Sequence, residues 1–127
     1  MVAGVGVDVI AVARVRTAFS KHGGRVASRV FTTEELSEAG EGPSRWQRLA
    51  ARFAAKEAVM KALGSGLWQI PLTDICIARH QSGRPCVSLT GRAAERAQAL
   101  GITRILVSMS HERDYAVAHA TALAGGE

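Results

Sequence analysis

The sequence predicts an α+β fold, an antiparallel-type sheet packed on one long helix with shorter helices around it. Three observations carry this: strand-like segments at both ends of the chain, one long helical stretch between them, and two hairpin signals in the second half. At 127 residues the chain fits a single domain, residues 1–127, and leaves no room for a second core.

The elements follow in order. Val2 to Ile10 is β-branched and glycine-punctuated, and reads as a strand. Ala11 to His22 places Val12, Val15 and Phe19 at helical spacing and meets a stop at Gly23-Gly24. Thr32-x-x-Glu35 has the form of a capping box and opens a short helix that ends at Gly40. Gly42-Pro43 is the clearest break in the chain. Ser44-x-x-Gln47 repeats the capping pattern and opens the longest helix, Arg45 to Leu63, closed by Gly64. Asp74 to His80 and Pro85 to Thr90 read as a hairpin around Gln81-Ser82-Gly83-Arg84. Gly91 to Leu100 is a short helix capped by Thr90, with Gly101 just past its end. Arg104 to His111 and Tyr115 to Leu123 alternate and are joined by Glu112-Arg113-Asp114 as a second hairpin. No repeat, low-complexity tract or linker interrupts them.

Composition narrows the class. With 47% hydrophobic but only 5% aromatic residues, the interior must be built from Val, Ile, Leu and Ala. Such a core buries limited area in a short chain, so neighbouring subunits would add useful burial. No apolar run reaches the length of a membrane span; the longest candidate, Tyr115 to Ala124, carries His119 and Thr121. The N-terminus has no basic region or cleavage site of a signal peptide. Cys76 and Cys86 have no metal spacing, and a tight turn near Ser82-Gly83 pairs Cys76 with a residue near Leu89 instead. Buried, reduced thiols in a cytoplasmic protein are the expectation.

The net charge of +5 is unevenly placed. Residues 11–31 hold Arg14, Arg16, Lys21, Arg25 and Arg29 with no acid, while the remainder balances 11 basic against 11 acidic residues. That concentration points to an acidic partner, although a charge cluster alone also fits a solvated helix face.

Two acids carry the chemistry. On the long helix Trp46, Leu49, Ala50, Phe53 and Met60 share an apolar stripe, with Glu57 near its middle and Lys61 one turn on. A carboxylate on a buried face is costly unless paired or bound to a metal. An exposed i,i+4 Glu–Lys pair is the competing reading, and the apolar flanks weigh against it. Asp8 ends the apolar Gly4-Val5-Gly6-Val7 run, with small Gly6 on the same side. Two buried acids from distant segments suit Mg²⁺, which takes one or two carboxylates and completes its shell with water and phosphate. By itself Asp8 also fits a strand-end cap for the next helix.

Other motifs fail. Gly4 and Gly6 lack the third glycine of a dinucleotide fingerprint, and no Walker A sequence is present. Ser108, Ser110 and His111 lie close together but on a strand, where a serine nucleophile would need an elbow turn. His111 fits a hydrogen-bonded structural histidine.

Phe53-Ala54-Ala55-Lys56-Glu57-Ala58-Val59-Met60-Lys61-Ala62-Leu63-Gly64 closely resembles the signature helix of the holo-acyl-carrier-protein synthases, the small branch of the 4′-phosphopantetheinyl transferases. Gly4-Val5-Gly6-Val7-Asp8, the Phe31-Thr32-Thr33-Glu34-Glu35 segment and Val107-Ser108-Met109-Ser110-His111 followed by Tyr115-Ala116 extend the resemblance in order along nearly the whole chain. It implies a 4′-phosphopantetheinyl transferase-like fold and a homotrimer with active sites at subunit interfaces. It also implies a cytoplasmic enzyme of fatty-acid or related lipid or polyketide synthesis. By position, Asp8 and Glu57 look like the Mg²⁺ ligands and Lys61 like the cation on the pyrophosphate. Coenzyme A would be held by Arg52, Lys61, Gly64, Ser65 and His111, and an apo acyl carrier protein by Arg14, backed by Arg16, Lys21 and Arg25. Ala13 departs from the basic or polar residue expected before Arg14, which shifts weight onto those three. The segment 67–71 receives no role.

The implied reaction moves the phosphopantetheine arm from coenzyme A to a carrier serine and releases adenosine 3′,5′-bisphosphate. Phosphoryl transfer rests mostly on positioning and charge stabilisation, which two acids, a metal and Lys61 can supply. The acceptor of the serine proton stays open, with Glu57 through a water as first candidate. A nucleic-acid-binding module fits the basic helix but leaves Asp8 and Glu57 without a role. A non-catalytic trimeric scaffold has no need of acids at both metal positions.

Overall fold

The computed structural model describes residues 1–21, 24–65 and 69–125. Strand β1 (Val2–Ala11) leads into helix α1 (Val12–Phe19), followed by α2 (Thr33–Ala39) and the long α3 (Arg45–Ala62). Strands β2 (Ile75–Arg79) and β3 (Pro85–Leu89) form a hairpin, α4 (Gly91–Ala99) follows, and β4 (Ile102–His111) and β5 (Tyr115–Ala124) close the order. The terminal strands meet: a three-stranded antiparallel sheet runs β1-β5-β4, and β2-β3 stands as a separate two-stranded sheet. The α+β class and the antiparallel sheet on one long helix are as expected.

Small residues determine how close the layers come. The inward positions of β5 are Ala116, Ala118, Ala120 and Ala122, all buried. Helix α3 answers with Ala50, Ala51, Ala54, Ala55, Ala58 and Ala62. The approach is tightest at β1, where a Cβ on Gly6 would stand 1.9 Å from the Ala58 carbonyl oxygen and one on Gly4 2.1 Å from that of Ala62. Two residues of strand and four of helix each advance roughly 6–7 Å, so the two glycines sit under successive helical turns. Extended two residues further, the same register carries Asp8 to the turn that holds Glu57.

The long helix is therefore not a one-sided amphipath. Leu49, Ala50 and Met60 of the expected stripe are buried, but Trp46 and Phe53 are only partly so, and burial extends around to Arg52 and Lys56. The helix is packed by the sheet on one side and by α1, α2 and β2 on others, which a single stripe does not describe.

The caps divide between expectation and correction. Thr32 and Glu35 form the full capping box: the Glu35 amide donates to Thr32 Oγ1 at 3.1 Å, and the Thr32 amide to Glu35 Oε1 at 2.8 Å. Gly64 closes α3 at φ +68°, with Ser65 N–H donating to Met60 C=O and Gly64 N–H to Lys61 C=O. Ser44 does not cap: its backbone is already helical, and its side chain makes no cap bond. Thr90 does not cap α4 either; Asp74 Oδ2 accepts from the Arg92 amide at 2.8 Å and the Ala93 amide at 3.4 Å. A carboxylate from another element supplies that cap, which local sequence cannot reveal. Helix α1 ends at Phe19, before the expected Gly23-Gly24 stop, and His22 and Gly23 lie outside the described residues.

The first hairpin pairs Cys76 with Ser88 and Ala78 with Cys86, so the thiols do not face one another and both are free. Cys76 is half-buried and Cys86 exposed, which corrects the expectation of two buried thiols: Cys86 points to the open face of β3. No helix among the described residues is long and apolar enough to cross a membrane.

Candidate active site

Asp8 and Glu57 meet where β1 crosses α3. Even-numbered positions of β1 face the helix, so Gly4 and Gly6 admit the helix backbone and Asp8 turns its carboxylate toward the same surface. Lys61, one helical turn beyond Glu57, donates to the Val7 carbonyl at 2.8 Å and stands 3.5 Å from Asp8 Oδ1. Lys61 thus pairs with the strand and not with Glu57. The i,i+4 Glu–Lys pair that competes for this motif is not formed.

Burial pushes the Glu57 carboxyl above the ordinary glutamate range, and the Asp8 charge beside it pushes the same way; Lys61 partly opposes them. Two acids and one lysine leave an excess of negative charge in a half-buried cleft. A divalent cation would relieve that repulsion, so the donor set fits a hard, oxygen-seeking ion such as Mg²⁺. Among the described residues no cluster of three or more His, Cys, Asp or Glu groups forms. Two carboxylates are what this site offers.

The residue next to Glu57 behaves differently. Lys56 and Glu35 are both fully buried and 2.6 Å apart. Lys56 also donates to the carbonyls of Leu72 at 2.9 Å and Ile75 at 2.5 Å, and Glu35 Oε2 accepts from the Ile77 amide at 2.7 Å. Burial lowers the Lys56 pKa, an effect that the Glu35 charge and hydrogen bond oppose. This network ties α2, α3 and β2 together. The sequence reading passed over it, although a lone lysine among alanines in Ala54-Ala55-Lys56 is a signal for a buried pair.

The chain matches the profile of the 4′-phosphopantetheinyl transferase superfamily over residues 4–120. The holo-[acyl-carrier-protein] synthase of Desulforudis audaxviator is 45% identical over 127 residues, covering 100% of this chain and 97% of that protein. The chain belongs to this family. It is a phosphopantetheinyl transferase of the holo-[acyl-carrier-protein] synthase type. Among solved structures, the synthase of Neisseria meningitidis superimposes with a TM-score of 0.84 at 34% identity, covering 97% of this chain and 99% of that one. A Chronobacterium ammoniagenes synthase in complex with coenzyme A superimposes at 0.82 with 28% identity, over 97% and 98% of the two chains.

Within this synthase fold the remaining expected residues take distinct places. Gly64 and Ser65 lie just beyond Lys61, where Ser65 Oγ donates to Gln69 Oε1 at 3.2 Å. His111 ends β4 exposed, in register with Ala116, which pairs in turn with Ile10. It is thus two strand spacings, roughly 10 Å, from β1, and does not join Asp8 and Glu57 within one chain. Arg52 is a correction. Its guanidinium is buried, donating to Glu38 Oε1 at 2.8 Å and to the Arg48 carbonyl at 3.3 Å. Five residues of helix turn it about 140° from Glu57, so it anchors α2 and does not face the acids. Arg14 and Arg16 are exposed on α1, and Lys21 and Arg25 are exposed beyond it. Leu67 and Trp68 of the unassigned segment lie outside the described residues.

Proposed function

We propose that the chain, as one domain over residues 1–127, transfers 4′-phosphopantetheine from coenzyme A to a serine of an apo acyl carrier protein, with adenosine 3′,5′-bisphosphate as the second product. The observation that supports this most is the convergence of Asp8, Glu57 and Lys61 at the β1–α3 crossing. Mg²⁺, held by Asp8 and Glu57, would neutralise charge on the pyrophosphate. Lys61 places its ammonium beside that position, where negative charge grows on the leaving group. The serine hydroxyl gives its proton to Glu57 through a water as the serine oxygen bonds to the β-phosphorus. The bond from that phosphorus to the bridging oxygen breaks, and the leaving bisphosphate keeps the electron pair. Gly64 and Ser65 border the coenzyme A site at the end of α3.

We further propose a homotrimer in the cytoplasm, serving fatty-acid or related lipid or polyketide synthesis. The outward face of the sheet supports assembly: Val5, Val7 and Val9 are 59%, 56% and 65% exposed, and Leu106 and Val117 lie on the same face. An apolar sheet face of this kind needs a cover. We propose His111, at the exposed end of β4, as a contact from one subunit to phosphate held at the acids of another. Arg14, Arg16, Lys21 and Arg25 present positive charge to the carrier.

The test is direct. The protein, coenzyme A, Mg²⁺ and an apo carrier are incubated, and the carrier is weighed by mass spectrometry. Addition of one phosphopantetheine group is expected, and an unmodified carrier overturns the reading. Light scattering should give a mass near three chains; a fully active monomer removes the shared site.

A further inference from the structure

A cavity of ≈ 480 Å³ lies at the far end of the β1–α3 crossing from Lys61, where α1 begins, α3 begins and the β4–β5 turn closes. Val12, Pro43, Trp46 and Tyr115 give it apolar walls, and Arg16 and Arg113 give it cationic ones, with Asp114 the acid among its lining residues. The β4–β5 turn is held against α1 by one backbone bond, Val12 N–H to Asp114 C=O at 2.8 Å. Arg113 is therefore presented beside the basic helix as part of one rigid surface, although 97 residues separate it in sequence from Arg16.

We infer that this cavity is a second contact for the acyl carrier protein, in which an apolar side chain of the carrier seats against Trp46 while acidic residues around it meet Arg113 and Arg16. The inference rests on the carrier reading above and extends the docking surface from one helix to the hairpin tip. Charge complementarity selects the occupant. The cavity opens beside residues 11–31, which hold five basic side chains and no acid, so an acidic surface is attracted and the same basic face of a second copy is repelled. A cavity lined by aromatic side chains together with arginines is also the form an anchoring contact takes in protein interfaces.

The test uses Arg113→Glu, an exposed substitution that leaves the core untouched. At low salt the apparent KM for the carrier should rise several-fold, the rise should shrink at moderate salt, and the KM for coenzyme A should stay constant. A Trp68→Phe background leaves Trp46 as the one tryptophan. Its fluorescence should then change on titration with apo carrier, and this signal should weaken with Arg113→Glu. An unchanged carrier KM together with silent Trp46 fluorescence overturns the inference. So does a change in oligomeric mass, which would make the cavity a subunit seam, or a rise confined to the KM for coenzyme A. Failure of phosphopantetheine transfer by the unmodified protein would sink the functional reading instead, and the fluorescence titration still reports docking in that case.

Discussion

Lys56 and Glu57 are neighbours on one helix, yet they belong to two opposite kinds of charge site. Lys56 points to α2 and β2, where Glu35 and two carbonyls saturate it in full burial. Glu57 points to β1, where burial and then a second acid raise its proton affinity and the nearby lysine is spent on Asp8 and the Val7 carbonyl. The first site is closed and electrically balanced; the second is half-open and carries surplus negative charge. A satisfied buried pair holds elements together, whereas an unbalanced one is poised to bind a cation. Sequence spacing does not distinguish them, since each joins α3 to an acid far away in the chain, Glu35 on α2 and Asp8 on β1.

The largest expected effect breaks the closed site. Lys56→Ala leaves Glu35 buried without its cation and should cost about 3–5 kcal/mol of stability, measured by denaturant unfolding. Glu35→Leu combined with Lys56→Met should recover much of that loss, because an apolar pair carries no desolvation penalty. If the single variant unfolds at the wild-type midpoint, the network is not what joins α2 to β2.

The open site should respond in activity instead. Asp8→Asn or Glu57→Gln should lower transfer about a hundredfold or more, while the thermal midpoint without metal holds or rises as acid–acid repulsion is removed. Mg²⁺ should raise the midpoint of the unmodified protein and not that of Asp8→Asn, a readout independent of turnover. Near-wild-type transfer by either variant would sink the metal assignment.

Gly6→Ala sharpens the comparison between the two. Its new Cβ meets the Ala58 carbonyl oxygen, so β1 must move off α3. We expect a stability loss of about 1–3 kcal/mol, together with weaker Mg²⁺ stabilisation as Asp8 shifts from Glu57. Equal Mg²⁺ response in variant and wild type would show that the crossing does not set the acid–acid geometry.

The smallest effect belongs to the surface. Arg14→Glu should raise the carrier KM several-fold at low salt and leave the melting temperature nearly unchanged, because exposed charges add little to folding. A carrier KM that ignores both the substitution and salt would return the basic helix to a solvated face.

The sequence by itself determined the order of elements, the Thr32–Glu35 box and the Gly64 stop, and singled out Asp8 and Glu57 as acids in apolar surroundings. Each depends on local spacing or on a motif short enough to read along the chain. Only the tertiary structure decided which charges were structural. Arg52 reads as a phosphate contact in sequence and proves to be closed on Glu38, because the helix turns it toward α2. Asp74, fully ordinary as a loop acid, caps α4 from another element. Arg113 joins Arg16 only through the return of β5 against β1 and the backbone bond that pins the hairpin turn to α1. These contacts are non-local, and their partners are chosen by packing: alanines and glycines let α3 be enclosed on most sides, so burial there follows the neighbours and not the helical period.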